Sequence, residues 1–168
     1  MPVEAASFRA ALGAFATGVC VVVTRLADGR PTGVTVNSFT SLSLDPPLVL
    51  FCLGRGGSAL ARFAAAPAWS VHVLADHQVE LARRFARRSE EASAQDPWSG
   101  IPWREGEDGM PLLPGALARL SCRAERALDG GDHAILIGRV DALDWRSEGR
   151  PLLYFRGRFE TAAKGLAA

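Results

Sequence analysis

Apolar and polar positions alternate with period two along much of this chain and repeat with the period of a helix over a few shorter stretches. Ala5 to Ala16 (AASFRAALGAFA) sets Phe8, Leu12 and Phe15 on one stripe, which predicts an amphipathic first helix lying as a lid on the core. Val19 to Thr24 is nearly all apolar and β-branched, Ala27-Asp28-Gly29 reads as a turn, and the chain returns from Pro31, so this segment predicts a hairpin. From Gly33 to Pro47 the sequence runs GVTVNSFTSLSLDPP. Val34 and Val36 are expected to face a core, and Leu42 and Leu44 share their parity, but between them that parity falls on Ser38 and Thr40. An inward hydroxyl without a partner costs about 1–3 kcal/mol. Either the chain bends there and the hydroxyls bond their own backbone, or they line a pocket for a polar ligand.

Leu48 to Leu53 (LVLFCL) is apolar at every position, a pattern that needs cover on both faces. Gly54-Arg55-Gly56-Gly57 breaks it, and Ser58 is expected to cap a short helix that runs to about Ala65 and stops before Pro67. A glycine loop that enters a helix N-terminus can receive an anion, although this one matches neither a P-loop nor GxGxxG. Trp69 to Leu74 alternates, with Trp69, Val71 and Val73 on one face and Ser70 and His72 on a polar one. A helix is predicted from about His77 to Arg88, with Leu81, Ala82 and Phe85 on one side, Arg83 and Arg87 opposite, and Arg84 bordering the stripe. Ser89 to Gly115 holds Pro97, Pro102, Pro111 and Pro114 with no sustained period, the mark of a functional or poorly ordered loop. In Leu117 to Glu125, Ala118, Leu120, Cys122 and Ala124 are expected inward, and Arg119, Ser121, Arg123 and Glu125 on a wet face. Gly130-Gly131 turns the chain into a partner strand from His133 to Trp145, and Pro151 to Phe155 and Arg158 to Thr161 supply the last strands.

About seven hairpin-connected strands with flanking helices and no βαβ rhythm predict a mainly β protein, best fitted by a small antiparallel barrel. The unbroken apolar strands at Val19 and Leu48 further predict that two barrels pair as a homodimer.

The 168 residues carry no Pro/Ser-rich linker, so one domain over residues 1–168 is expected. A formal net charge of +1 gives no electrostatic case for nucleic acid or an anionic membrane. No apolar run approaches the ~20 residues of a membrane span, and the N-terminus does not read as a secretory signal, so a cytoplasmic protein is expected. Cys20, Cys52 and Cys122 are odd in number, far apart and set in apolar strands; they read as buried reduced thiols, without a Cys/His cluster for a metal.

Three features ask for a joint explanation: the hydroxyl-rich strand end from Asn37 to Ser43, the Gly131-Asp132-His133 turn, and the segment Tyr154-Phe155-Arg156-Gly157-Arg158. Hydroxyls and exposed amides suit a ligand with a sugar-like chain and a phosphate. A histidine at the mouth of a β-turn is either structural or a donor to a carboxamide or a flavin carbonyl.

In order along the chain, FRAALGAFATGVCVVVT, GVTVNSFTSLSLDPPLVLFCL, VHVLADHQVELARRFA, GALARLSCRAE, GDHAILIGRV and PLLYFRGRF resemble the short-chain flavin reductases, the flavin reductase-like domain family. These enzymes supply reduced flavin to two-component monooxygenases. The resemblance implies an antiparallel split β-barrel homodimer that binds FMN, or FAD, and reduces it with NADH or NADPH. It places Asn37, Ser38, Phe39, Thr40, Ser41 and Ser43 along the isoalloxazine and ribityl chain, and Cys52, Leu53, Gly54 and Ser58 toward the phosphate end. It puts Arg84 and Phe85 near the flavin, assigns His133 to the catalytic face between nicotinamide and flavin, and places Tyr154 and Arg156 in a closing segment. Gly54 stands where Asn or Asp is common in the family and Gly56-Gly57 loosens the same loop, which implies a weaker grip on phosphate. His72 replaces a frequent Asn. Two other readings remain open: a flavin carrier without nicotinamide turnover, and a related FMN-dependent oxidase. The GDH triplet favours the reductase, since a carrier has no use for a nicotinamide site.

Overall fold

In the computed structural model, which describes residues 2–87 and 96–162, the alternating segments form strands and the helical ones three short helices. The chain runs through α1 (Ala5–Leu12), β1 (Thr17–Gly18), β2 (Cys20–Arg25), β3 (Pro31–Val36), β4 (Thr40–Leu44), β5 (Pro47–Gly54), α2 (Ser58–Ala65) and β6 (Ala68–Val73). A 3₁₀ turn (Asp76–Gln78) then leads to α3 (Val79–Ala86), β7 (Arg104–Glu105), β8 (Pro111–Leu112), β9 (Ala118–Gly130), β10 (His133–Trp145), β11 (Leu152–Phe155) and β12 (Arg158–Thr161). Seven strands form one antiparallel sheet in the order β3-β2-β6-β9-β10-β5-β4, beside the small sheets β1-β11-β12 and β7-β8.

Strands β3 and β4 are consecutive in the chain yet occupy opposite edges, so the sheet has to curl to bring its edges together. One cluster records the curl, because it joins Val36 of β3 to Phe51 of β5 together with Val22, Val71, Trp69 and Leu136. The Phe51 ring stands edge-on to Trp69 with centres 4.8 Å apart and to Phe63 of α2 at 6.1 Å. Among the described residues no ladder joins β3 to β4, so the predicted barrel is found as a strongly curled open sheet.

The outer face of β2 carries a second cluster, in which Val19, Val21 and Val23 meet Leu74, Ala82, Phe85, Trp98 and Leu152. Both faces of β2 are therefore covered by their own chain, and its unbroken apolar run needs no second subunit. Strand β5 is different: Val49, Phe51 and Leu53 are buried, while Leu48, Leu50 and Cys52 are only half-buried.

Several expectations are corrected. Helix α1 ends at Leu12, buries none of its residues, and leaves Phe8, Leu12 and Phe15 exposed, so it is no lid on this chain's core. Leu42 and Leu44 point outward, at 48 % and 93 % exposure, because the β4–β5 ladder is irregular between Ser41 and Ser43 and parity is lost there. Gly57, not Ser58, occupies the N-cap of α2; the Ser58 hydroxyl instead accepts from the Arg62 guanidinium at 3.1 Å. Ser70, His72 and Ser121 are buried rather than wet. The β7–β8 hairpin covers them, tied down by Arg25 Nε donating to the Gly109 carbonyl (2.6 Å) and by the Arg119–Asp108 ion pair. The proline-rich loop is thus partly a cover: Trp98 is buried against Phe85 with ring centres 4.9 Å apart, and residues 88–95 lie outside the described ones. Ala124, expected inward, is exposed where the β9–β10 register shifts between Ile137 and Gly138.

The three cysteines are free; burial pushes the Cys20 and Cys122 thiols up to about 12, and Cys52 is half-buried. Among the described residues no helix is long and apolar enough to cross a membrane, and no group of three or more His, Cys, Asp or Glu is placed to hold a metal.

Candidate active site

Strands β5 and β10 bring the two most chemically loaded stretches side by side. Their register sets His133 opposite Gly54 and Ile135 opposite Cys52. On the other flank of β5, Thr40 lies opposite Leu50 and Ser41 opposite Val49. The link between β3 and β4 is stapled to the same strand: the Ser38 hydroxyl accepts from the Cys52 amide at 2.9 Å and lies 3.3 Å from the Cys52 carbonyl, to which it can donate. Ser38 therefore bonds backbone, as a bend requires, but to a strand fourteen residues away rather than its own turn. Asn37, Thr40 and Ser41 are exposed beside it, Ser43 is half-buried, and Phe39 packs against the inner cluster. The Thr40 hydroxyl donates to the Ser41 carbonyl at 3.4 Å, and with the exposed Asn37 and Ser41 it makes a polar shelf on the flank of β5, the strand that ends at Leu53 and Gly54.

Helix α2 begins at the end of that loop. Its N-cap Gly57 makes no side-chain cap, so the first-turn N–H groups keep their capacity for an outside acceptor, and the positive end of the helix dipole favours an anion there. A Cβ at Gly56 would meet nothing within 4 Å, so the loop is open to a ligand. The residues present fit a planar ligand with a hydroxylated chain and a phosphate end.

His133 stands at the start of β10 with its Nδ1 2.7 Å from Asp132 Oδ1. The hydrogen bond from His133, followed by its charge and, more weakly, that of Arg9, holds the Asp132 carboxyl below the usual carboxylate range. An ionised carboxylate only accepts, so Nδ1 carries the proton and Nε2 is left free. That free nitrogen faces the β5 edge, 3.6 Å from where a Cβ on Gly54 would stand. Asn or Asp at position 54 would reach the histidine; glycine leaves the space empty.

Tyr154 sits on the small β1-β11-β12 sheet, opposite Thr17 and with its ring 5.5 Å from Phe159, and Arg156 lies in the turn between β11 and β12. Arg156 adopts φ 48°, its amide donates to the Gly13 carbonyl at 2.9 Å, and its guanidinium lies over Phe155. The end of helix α1 adjoins this segment through the Gly13 carbonyl. Arg84 and Phe85 are placed elsewhere: Phe85 is buried in the outer cluster against Gly33, and Arg84 donates to the Ser99 carbonyl at 2.7 Å beside Glu80. Their contacts among the described residues are with the loop cover rather than with the Ser38–Gly54–His133 group. A cavity of about 150 Å³ between Phe63, Trp69, Ala124 and Leu136 is lined by none of the candidate residues. Sequence reasoning named Asp132 within the Gly131-Asp132-His133 turn without giving it a role, and gave none to Asp129 or Arg55, which hold the turn with it; the acidic residues flanking Gly130-Gly131 were the available signal.

Residues 12–163 match the model of the flavin reductase like domain family. The chain is 41% identical over 152 residues, 90% of its length and 75% of the relative's, to the reductase subunit of a flavin-dependent monooxygenase from Rhodococcus jostii. It is 42% identical over 153 residues, 91% of its length and 83% of the relative's, to an FMN reductase (NADH) from Agrobacterium fabrum. Among solved structures, the NADH:FAD oxidoreductase of Streptomyces globisporus in complex with NAD and FAD fragments superposes with a TM-score of 0.88 at 37% identity, covering 98% of this chain and 96% of that one.

Proposed function

As the chain belongs to the flavin reductase like domain family, we propose that it is an NADH:flavin oxidoreductase that reduces FMN, or FAD, and passes the reduced flavin to a separate monooxygenase. The observation that carries this reading is the free Nε2 of His133, held by Asp132 and set beside an open glycine loop and an uncapped helix N-terminus.

Bound flavin supplies the chemistry by accepting at N5 the hydride that leaves C4 of the dihydronicotinamide. The chain's own groups position and enclose. Asn37, Thr40, Ser41 and Ser43 offer neutral hydrogen bonds along the shelf, and the Gly54–Ser58 loop with the first turn of α2 offers amides to a phosphate. Neutral partners hold a flavin without trapping it, as release to a second protein requires. His133 orients the nicotinamide: with Nδ1 engaged by Asp132, Nε2 is the ring nitrogen presented to the carboxamide. No nucleophile or strong base is called for, so the histidine is not an essential acid. Phe85 acts from beneath β3 by fixing the sheet, Arg84 ties α3 to the loop at Ser99, and Tyr154 and Arg156 close the flank beside α1.

We assign the whole chain to one such domain, working as a homodimer. The support lies in the apolar side chains the single chain leaves outside: Phe8, Leu12 and Phe15 near α1, Leu42 and Leu44 on the β4 edge, and the half-buried outer face of β5. Light scattering at micromolar concentration is expected to give twice the chain mass; a monomer there would overturn the assignment. A cytoplasmic setting suits three unpaired thiols.

The direct test is the decay of NADH absorbance when the purified protein meets NADH and free FMN in air. Rapid flavin-dependent decay is expected. No decay with either nicotinamide and either flavin would leave the flavin carrier as the better reading. His133→Ala is expected to lower kcat/KM for NADH by about tenfold, the size of one lost positioning contact, with flavin binding retained. Unchanged kcat/KM would refute the role given to the histidine.

A further inference from the structure

Arg55 is the one charged residue between Gly54 and Ser58, and its backbone amide, Nε and one terminal guanidinium nitrogen all donate to a single turn. Its amide donates to the Asp132 carbonyl at 2.9 Å. Its Nε donates to the Gly131 carbonyl at 2.8 Å, and its terminal guanidinium nitrogen meets the Asp129 carboxylate. The same carboxylate accepts from the Gly131 amide at 3.2 Å, so Asp129 folds the turn and receives the arginine at once. The hydrogen bond from Arg55 is the leading reason that the Asp129 carboxyl lies below the usual range.

We propose that Arg55 is a positioning residue that clamps the glycine loop to the Gly131–His133 turn, so that the seat for the flavin's phosphate end and the histidine that orients the nicotinamide are held as one unit. The inference rests on the flavin reductase reading and deepens it. An exposed ion pair alone contributes little. Arg55 differs because its planar fork spans two groups of the turn while its backbone takes a third, a geometry that lysine cannot reproduce. Gly54, Gly56 and Gly131 surround the contact, and Gly131 needs its positive φ of 79°, so the backbone on both sides of the contact is intrinsically free and the side chain that ties the two loops together is Arg55. Without the clamp the turn samples other arrangements, and the apparent affinity for nicotinamide falls by the fraction of time His133 is out of place.

The competing role for an arginine in this loop is direct pairing with the flavin phosphate, and riboflavin, which has no phosphate, separates the two. Arg55→Ala and Asp129→Asn are compared with the parent protein using NADH and either FMN or riboflavin at saturation. Asparagine retains the oxygen that accepts from the Gly131 amide but loses the charge that holds Arg55. The clamp predicts that both variants raise KM for NADH about five- to tenfold with kcat within about twofold, with riboflavin as with FMN, and that the double variant is no worse than Arg55→Ala alone. Arg55→Lys restores less than half of the loss. Amide hydrogen exchange of the peptide spanning residues 129–133, measured without ligands, is expected to quicken at least fivefold in Arg55→Ala. A KM defect confined to FMN, a normal KM in both single variants, or unchanged exchange would each overturn the clamp. A parent protein that turns over no NADH would sink the flavin reductase reading instead, and the exchange measurement would then decide the clamp by itself.

Discussion

Gly138→Ala is expected to destabilise the protein by about 3 kcal/mol or more, lowering its urea midpoint by roughly 1.5 M. Gly138 is buried in β10, and a Cβ there would stand 2.3 Å from Cη2 and 2.6 Å from Cζ2 of Trp69. The indole reaches this place from β6, where Trp69 pairs with Cys122 of β9, so its ring crosses one intervening strand to lie on the next. Trp69 is 1 % exposed and Phe51 stands edge-on to it, so the ring can retreat only by giving up that contact and shifting into the cavity beside Phe63, Ala124 and Leu136. Overpacking a close-packed core forces off-rotamer side chains or a backbone shift, and here both strand partners resist the shift. The β9–β10 register already breaks between Ile137 and Gly138, which identifies the place where the sheet bends around the indole. Gly18→Ala is the control, because a Cβ there meets nothing within 4 Å, and it should cost no more than about 0.5 kcal/mol. Combining Gly138→Ala with Trp69→Leu, which removes the clashing atoms, should cost clearly less than the two single losses added together. Full additivity, or a Gly138→Ala midpoint matching that of the parent, would show that the clash is relieved some other way.

Much of this architecture was legible wherever one physical rule governs a residue. Period-two alternation located β3, β6 and β9, unbroken apolar runs located β2 and β5, and turn chemistry located the hairpins at Asp28-Gly29 and Gly130-Gly131, the second of them giving β10. The rule failed where an irregularity resets parity: Leu42 and Leu44 follow a break in the β4–β5 ladder, and Ala124 adjoins another in β9–β10. It failed again where cover comes from afar in sequence. His72, Ser70 and Ser121 alternate as a wet face should, and a hairpin more than thirty residues beyond His72 buries them. Around the candidate site, residue types announced Ser38 and His133, but the partner of each was out of reach of local reading. The Ser38 contact to Cys52 depends on the curl of the sheet, and the Arg55 contact to the turn depends on the β5–β10 register. Arg84 and Phe85 show the converse. Their helical spacing was sound, and it is the place of Phe85 beneath Gly33 and of Arg84 against the Ser99 carbonyl, both fixed by tertiary packing, that the periodicity could not contain.

The buried face under the β7–β8 hairpin leads to the second large effect: the protein is expected to lose roughly 3 kcal/mol of stability as the pH falls from about 6.5 to about 4, through His72. His72 is 1 % exposed, and burial, followed by the charge of Arg119, pushes its pKa from 6.5 down to about 4, against weaker opposing effects of the Val21 backbone and the Asp108 carboxylate. Between those two pH values the unfolded chain binds a proton at this position and the folded protein does not, so stability is complete above 6.5 and drains away as the pH falls. The contacts say what protonation would break. Nε2 of His72 accepts from the Leu113 amide at 3.3 Å, so a second ring proton would set one N–H against another, at the point where the chain leaves the hairpin for β9. Arg119 on β9 stays charged throughout, and Asp108 on the hairpin, already held below the usual carboxylate range, stays ionised across most of the window, so neither neutralises the new charge without leaving the other. Urea unfolding at pH 7, 5.5 and 4.5 should show the fall. His72→Asn should flatten it, since asparagine retains an acceptor for the Leu113 amide and does not titrate. Equal stability of the parent at pH 7 and 4.5, or an unchanged slope in His72→Asn, would remove His72 as the cause. The expected slope means that the hairpin covering this face is held by a neutral histidine, and acid should loosen it before the curled sheet beneath.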